Sequence, residues 1–193
     1  MQTRIRNIIE NSIAVKQELL ADNALLGQIE RLAVACLQSL HEGGKIIFAG
    51  NGGSFADSQH LSAEFTSRFQ INRSPLPSLA LGTNSSTISA VANDYGYEQV
   101  FARELESIAG INDVFIPIST SGNSPNILAA AIVANKRGIN SMGLAGRDGG
   151  KLTSYCECIC VPSGDTARIQ ESHIMIGHIV CGLVESMYFH TKS

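Results

Sequence analysis

The chain has 193 residues, of which 44% are hydrophobic and 16% are charged. This length and composition fit one domain with a well-buried core and exclude a disordered chain or a coiled coil. A formal net charge of −3 argues against a general nucleic-acid-binding protein. No apolar run reaches the roughly 20 residues of a membrane-spanning helix, and the first residues lack the apolar stretch of a secretory signal. We therefore expect a cytoplasmic protein with neither a nucleic-acid nor a membrane partner.

Two amphipathic helices are predicted at the start of the chain. Apolar residues recur at helical spacing over residues 3–20 and again from Leu25 to Leu40, and Gly43-Gly44 ends the second helix. Five short apolar runs that follow predict strands covered on both faces. These runs are residues 45–49, 78–81, 113–118, 140–144 and 156–161. Helical patterns lie between or after them at residues 54–69, 85–92, 98–108, 124–137 and 165–190.

The alternation of strands and helices predicts the fold class. It favours an α/β fold, a doubly wound parallel five-stranded sheet of the flavodoxin-like kind, with two N-terminal helices and a long C-terminal helix. We expect a single domain over residues 1–193, in which residues 45–193 form the α/β core. Pro117 should end the third strand or introduce a bulge, because proline cannot donate to the ladder.

Two loops that leave the carboxyl ends of predicted strands have unusual composition. The first, Gly50-Asn51-Gly52-Gly53-Ser54, opens directly into a helix that Ser54 could cap. The second, residues 119–125, contains Ser119, Thr120, Ser121 and Ser124, with Pro125 at the first helical position. Hydroxyls, backbone N–H groups and a helix N-terminus together suit a phosphate. The alternative is that both loops only turn and cap. Neither loop matches a dinucleotide-binding fingerprint or a P-loop.

Two residues of the helix after the first loop could bind a metal. His60 and Glu64 are four residues apart and so lie on one helical face. An imidazole and a carboxylate in this arrangement can chelate a divalent cation, and zinc is the common choice for such ligands. The pair by itself is also typical of an ordinary surface contact, so both interpretations stay open.

The C-terminal helix offers Gln170 and His178 on a mostly apolar surface. Buried polar side chains need partners, and core histidines bonded to the backbone are the usual alternative to metal ligands. Gln170 and His178 are eight residues apart, which is about 12 Å along a helix. They can share one metal only if their side chains lean together or if different subunits supply them. We therefore expect the site where helices of neighbouring subunits meet.

The five cysteines are an odd number without paired Cys-x-x-Cys spacing, which indicates reduced thiols. Cys156, Cys158 and Cys160 alternate, so in a strand their side chains would be about 6.6 Å apart on one face. That spacing fits a structural strand better than a three-sulfur zinc site.

Taken together, these motifs resemble the phosphoheptose isomerases of the sugar isomerase (SIS) fold, over nearly the whole chain. The resemblance rests on the two loops, on His60-x-x-x-Glu64, on Asn93-Asp94-x-Gly96 and on Arg168-Ile169-Gln170-Glu171 with His173 and His178. It implies conversion of sedoheptulose 7-phosphate to D-glycero-D-manno-heptose 7-phosphate, which feeds lipopolysaccharide core or capsule precursors. It also implies a homotetramer with active sites at subunit interfaces, in which the N-terminal helices, residues 1–42, take part in packing.

The resemblance also implies roles for individual residues. One zinc ion per subunit would be held by His60, Glu64, Gln170 and His178, and Glu64 and His178 would form the acid–base pair. The residues implied to bind the sugar phosphate are Asn51, Gly52, Gly53, Ser54, Glu64, Asn93, Asp94, Ser119, Thr120, Ser121, Ser124 and Gln170. Some relatives carry Asp immediately before Arg-Ile-Gln, where this chain has Ala167 with Asp165 nearby. A substrate-binding or proton-transfer role of that Asp therefore does not carry over to this chain directly.

The alternative function is a non-catalytic SIS protein that binds the bacterial replication initiator. Such a relative shares the N-terminal helices and the Gly loop, so the fold alone does not separate the two. Glu64 and His178 favour the isomerase, because the initiator-binding relative has lost part of the metal and acid–base set. A sugar-phosphate-sensing regulator or an amidotransferase-type isomerase would need a DNA-binding segment or a glutaminase domain, for which the sequence offers no length.

Overall fold

The computed structural model describes residues 1–190, and a parallel sheet forms its centre. The strands are β1 Ile46–Ala49, β2 Ser78–Ala80, β3 Val114–Ser119, β4 Asn140–Gly146 and β5 Glu157–Val161. The helices are α1 Gln2–Ala21, α2 Asn23–His41, α3 Gly53–Thr66, α4 Ser85–Tyr95, α5 Val100–Ile108, α6 Pro125–Lys136 and α7 Thr166–His190, with short 3₁₀ helices at Tyr97–Gln99 and Gly150–Ser154. All strand pairs are parallel, in the order β2-β1-β3-β4-β5. The predicted doubly wound, flavodoxin-like α/β fold is confirmed.

Helices cover both faces of the sheet and create two cores. Ile46 and Phe48 of β1 point into a core shared with α1, α2, α3 and α7. Ile47 and Ala49 point the other way, into a core shared with α5 and α6. Because alternate strand residues face opposite sides, a strand buried on both faces must be apolar throughout. This is why the strands could be recognised as continuous apolar runs.

The two N-terminal helices pack against the rest of the chain through α7. Leu19 of α1 is buried in the same core as Ile176 of α7, and Ser12 Oγ donates to Glu171 Oε2 at 2.8 Å. The side chain of Asp22 caps α2 by accepting from the N–H groups of Ala24 and Leu25. The last three residues of the predicted core, 191–193, lie outside the described residues.

The third strand differs from its prediction at Pro117. β3 runs through this proline to Ser119, and Pro117 keeps its register opposite Ala49 of β1. Pairing with β4 has the same offset before and after it, from Phe115–Ser141 to Ile118–Leu144. The expectation that the strand ends or bulges there was wrong, because apolar packing on both faces of β3 holds the extended backbone despite the missing N–H. Among residues 1–190, no helix has the length and apolar character needed to cross a bilayer.

Candidate active site

The glycine-rich loop joins β1 to α3 and turns at Gly52. Gly52 has φ of 56°, a conformation that side chains other than glycine's rarely adopt, and it occupies the N-cap position of α3. Ser54, expected to cap the helix, instead lies one residue inside it and is 3% exposed. A Cβ at Gly50 would fall 2.3 Å from the Ser54 carbonyl oxygen. The prediction that Ser54 caps the helix was therefore wrong. Close packing within the loop places the start of the helix at Gly53, before Ser54.

The serine-rich loop joins β3 to α6 and brings hydroxyls together. Ser124 is the N-cap of α6 and is followed by Pro125, as predicted. Its hydroxyl does not cap the helix but lies 3.0 Å from the Ser119 hydroxyl. Thr120 and Ser121 line a neighbouring cavity of about 300 Å³, which Arg147 also borders. Hydroxyls at the positive end of a helix can donate to a phosphate.

A pair of amides joins the two loops. Asn51 Nδ2 donates to Asn126 Oδ1, and Asn126 Nδ2 donates back to Asn51 Oδ1, each at 2.8 Å. Asn126 is 3% exposed. Asn126 was not among the predicted site residues, although an amide so early in a mostly apolar helix was a usable signal. Because β1 and β3 are neighbours in the sheet, the loops that leave their carboxyl ends lie side by side.

His60 and Glu64 of α3 meet His178 of α7. One donor atom from each residue lies within 4.8 Å of the other two. His60 Nε2 is 3.0 Å from Glu64 Oε1, and His178 Nε2 is 3.4 Å from His60 Nε2. The Phe69 ring stacks against the His178 imidazole, with centroids 5.6 Å apart. The prediction that an early helix and the terminal helix contribute to one cluster agrees with this geometry, and a single chain supplies all three groups.

Asp57 is a further member of this neighbourhood that the sequence analysis missed. It lies on α3, one turn before His60, and is half-buried. Burial raises the pKa of Asp57, while the charges of His60 and His178 oppose the rise. Asp57 is therefore a carboxylate close to both imidazoles. Its spacing of three residues before His60 was the signal available in the sequence.

Further predicted site residues lie on α7 and α4. Gln170 is half-buried and packs on the glycine-rich loop, where a Cβ at Gly53 would lie 2.6 Å from its Nε2. Asn93 and Asp94 are on the exposed surface of α4, and Asn93 Nδ2 donates to Asp94 Oδ1 at 2.8 Å. The binding roles expected for these residues stay predictions.

The cysteines at the end of the sheet are packed as free thiols. Cys156 lies just before β5, where the chain bends, and its sulfur is 4.0 Å from that of Cys158. The spacing expected for a regular strand was therefore wrong for this pair. Cys158 is 7% exposed and belongs to the apolar core, in keeping with a structural role for this segment.

The donor set of the three-residue cluster fits a divalent metal. Two imidazoles and a carboxylate match a common zinc ligand combination that leaves a position for substrate. The two Nε2 atoms face each other at 3.4 Å, which is close enough for one ion to replace their direct contact. A carboxylate and an imidazole held in one cluster can also transfer protons on a bound substrate.

Comparison with known proteins identifies the family of the chain. Residues 9–146 match the family model of the SIS domain. Phosphoheptose isomerase of Aneurinibacillus thermoaerophilus is 50% identical over 193 residues, covering 100% of this chain and 98% of the relative. The structure of phosphoheptose isomerase from Neisseria gonorrhoeae has a TM-score of 0.88 at 38% identity, covering 96% of this chain and 98% of the other. That from Francisella tularensis has a TM-score of 0.90 at 35% identity, with the same coverage. The chain therefore belongs to the SIS domain family and, within it, to the phosphoheptose isomerases.

Proposed function

We propose that the protein is a zinc-dependent isomerase that converts sedoheptulose 7-phosphate to D-glycero-D-manno-heptose 7-phosphate. The observation that carries this proposal is the meeting of His60, Glu64 and His178. Such a cluster supplies metal ligands and acid–base groups in one place. The serine-rich loop, at the carboxyl end of β3, supplies hydroxyls for a phosphate. Relatives that bear the name phosphoheptose isomerase support the choice of substrate.

In this proposal the phosphate binds to the serine-rich loop. Ser119, Thr120, Ser121 and Ser124 donate hydrogen bonds to its oxygens, and the N-terminus of α6 adds the favourable end of its dipole. The glycine-rich loop, with Asn51, Gly52 and Gly53, lets the sugar approach the backbone. Further substrate contacts are assigned to Ser54, Glu64, Asn93, Asp94 and Gln170.

The isomerisation itself needs two proton transfers. One group removes a proton from the carbon next to the carbonyl and returns it to the neighbouring carbon, and a second moves a proton between the two oxygens. Glu64 and His178 share these tasks. A zinc ion held by His60, Glu64, Gln170 and His178 would supply Lewis-acid polarisation of the substrate carbonyl.

We further propose that the whole chain, residues 1–193, acts as one SIS domain that assembles as a homotetramer. An exposed apolar surface on α1 supports assembly through the N-terminal helices. Its isoleucines Ile5, Ile8, Ile9 and Ile13 are 46–54% exposed, more apolar surface than one helix normally leaves in water. Ile179 and Leu183 of α7 are also exposed, and they line the same surface groove as His178. Burial of α7 between subunits would place the active sites at the interfaces.

A cytoplasmic location and a role in supplying heptose for surface polysaccharides complete the proposal. The five free thiols suit a reducing compartment. The rival function, binding of the replication initiator, is less well supported, because the three-residue cluster is intact and the relatives described above carry the isomerase name.

One experiment tests the activity directly. Turnover of sedoheptulose 7-phosphate is measured on the purified protein, after chelation, and after Zn²⁺ is added back. We expect activity to be lost on chelation and to return with the metal. Undiminished turnover by fully metal-depleted protein would contradict the metal's role, and no turnover with zinc together with tight binding of an initiator protein would reverse the choice of function.

A further inference from the structure

A buried ion pair lies behind the three-residue cluster. Glu185 is on α7, two turns after His178, and Arg73 is in the connection between α3 and β2. Arg73 Nε is 2.8 Å from Glu185 Oε1, and each side chain is only 3% exposed. Buried ion pairs often add little net stability, because removing two charges from water is costly. Net stability therefore does not by itself account for the presence of this buried ion pair.

The Glu185 carboxylate fixes the segment that follows α3. It accepts hydrogen bonds from the backbone N–H groups of Phe69 at 3.0 Å, Gln70 at 2.7 Å and Ile71 at 3.1 Å. Burial by itself raises the pKa of Glu185, but these N–H groups and Arg73 outweigh it and hold the pKa below its ordinary value. A charged acceptor with several donors defines the path of this segment closely.

Arg73 fixes the end of α3. Its Nη2 donates to the Glu64 carbonyl oxygen at 2.7 Å, and its Nη1 donates to the Phe65 carbonyl oxygen at 2.6 Å. These carbonyls belong to the last turn of the helix, where intrahelical partners are missing. The guanidinium therefore holds the backbone of Glu64, the carboxylate of the cluster.

The segment bound by Glu185 also contacts the three-residue cluster, through the ring of Phe69. The Phe69 ring lies at 23° to the His178 imidazole, with centroids 5.6 Å apart. The N–H that holds Phe69 in place is one of those bonded to Glu185. One ion pair thus connects to the Glu64 backbone directly and to the His178 ring through Phe69.

We propose that Arg73 and Glu185 are positioning residues that hold Glu64 and His178 at the separation a bound metal requires. This inference rests on the proposed role of His60, Glu64 and His178 as metal ligands. Ligands that are already in place lose less conformational entropy on binding. Outer partners of this kind typically account for about 10- to 100-fold in metal affinity.

The test compares Glu185→Gln with a matched control, Asp113→Asn. Asp113 is also a buried carboxylate, 3% exposed, and it binds Lys45 Nζ and the N–H groups of Lys45 and Gly110. It lies just before β3, at the sheet edge opposite the two loops. Both substitutions remove a charge from a similar network, so a general loss of stability affects both.

Affinity for Co²⁺, read from its absorption spectrum without substrate, is the measurement that separates the two variants. We expect Glu185→Gln to weaken Co²⁺ binding at least about tenfold and Asp113→Asn to leave it unchanged. Arg73→Lys keeps the charge but loses the planar fork that reaches two carbonyls, so it should also weaken binding. If Glu185→Gln does not fold, the Co²⁺ affinity of Arg73→Lys is compared with that of Asp113→Asn, and this comparison tests the positioning role.

Each other outcome has a defined meaning. Wild-type Co²⁺ affinity in the folded variants, or an equal loss in Asp113→Asn, would overturn the positioning role. If the wild type binds no Co²⁺, the cluster is not a metal site and the inference falls with it. If the wild type binds Co²⁺ but does not turn over sedoheptulose 7-phosphate, only the proposed substrate fails, and the affinities still decide the role of Arg73 and Glu185.

Discussion

The Nε2 atoms of His60 and His178 lie 3.4 Å apart although 118 residues separate them in the chain. Their rings meet nearly edge to face, with centroids 5.0 Å apart and an angle of 69°. The contact forms because α3 and α7 pack against the same face of the sheet. A change in the packing of either helix therefore alters the distance between the two imidazoles.

Replacement of Glu64 tests the acid–base assignment. We expect Glu64→Gln to keep the fold but to lower kcat at least about 100-fold, because an amide cannot accept the proton that a carboxylate takes up. Glu30→Gln, an exposed position on α2, serves as the control and should be neutral. Steady-state kinetics on sedoheptulose 7-phosphate measure both variants. Near-normal activity of Glu64→Gln would remove this residue from the mechanism.

Removal of two hydroxyls tests the phosphate cradle. The double variant Ser119→Ala, Ser124→Ala loses the pair whose oxygens lie 3.0 Å apart. We expect KM to rise more than kcat falls, because contacts to the phosphate stabilise the bound substrate and the transition state alike. Ser107→Ala on the exposed surface of α5 is the control. An effect confined to kcat would contradict this role.

A methyl group at Gly53 tests whether the position of Gln170 matters. The added Cβ would lie 2.6 Å from Gln170 Nε2, so the flexible amide must move. We expect Gly53→Ala to lower kcat/KM on the order of tenfold or more, with the free energy of unfolding changed by less than about 1 kcal/mol. At Gly27, where the nearest atom is Arg31 Nη1 at 3.6 Å, the same substitution should leave activity intact. Equal activities of the two variants would argue against a role for Gln170 in the site.

The buried His173 should make stability depend on pH. Burial lowers the pKa of His173 to about 4 from an ordinary value of 6.5, and its bond to the Ala145 carbonyl only partly opposes this. Between these values the unfolded chain binds a proton that the folded chain does not, so the free energy of unfolding falls as pH drops from 6.5 to 4. The full loss is about 3 kcal/mol.

Urea unfolding at pH 7 and pH 5 measures this effect against the variant His173→Gln. The amide of glutamine does not titrate, so the variant should lose less stability than the wild type over this range. The same pH dependence in both proteins would assign the effect to other groups.

The fold was predictable because its signals are local. Continuous apolar runs located the five strands to within one or two residues, and Gly43-Gly44 correctly followed α2. Pro117 was misjudged because a proline's effect on a strand depends on the packing around it. Ser54 was misjudged because the loop before α3 turns at Gly52, which caps the helix two residues earlier than the predicted cap.

The site was predictable only in part, because its remaining features depend on tertiary contacts. His60, Glu64 and His178 carry the residue types and spacing of a ligand set, and the structure brings them together. Asp57 and Asn126 gain their surroundings from distant parts of the chain. The short distance between the sulfurs of Cys156 and Cys158 arises from a bend that alternation alone does not show.

The reciprocal amide bonds between Asn51 and Asn126 join the two loops mechanically. A displacement of either loop must stretch both bonds or carry the other loop with it. Immobilising an anion at the serines would consequently reduce the mobility of the glycine-rich turn, before any sugar atom touches it. Recognition at one end of an extended substrate would thus help to order the backbone that receives the remainder.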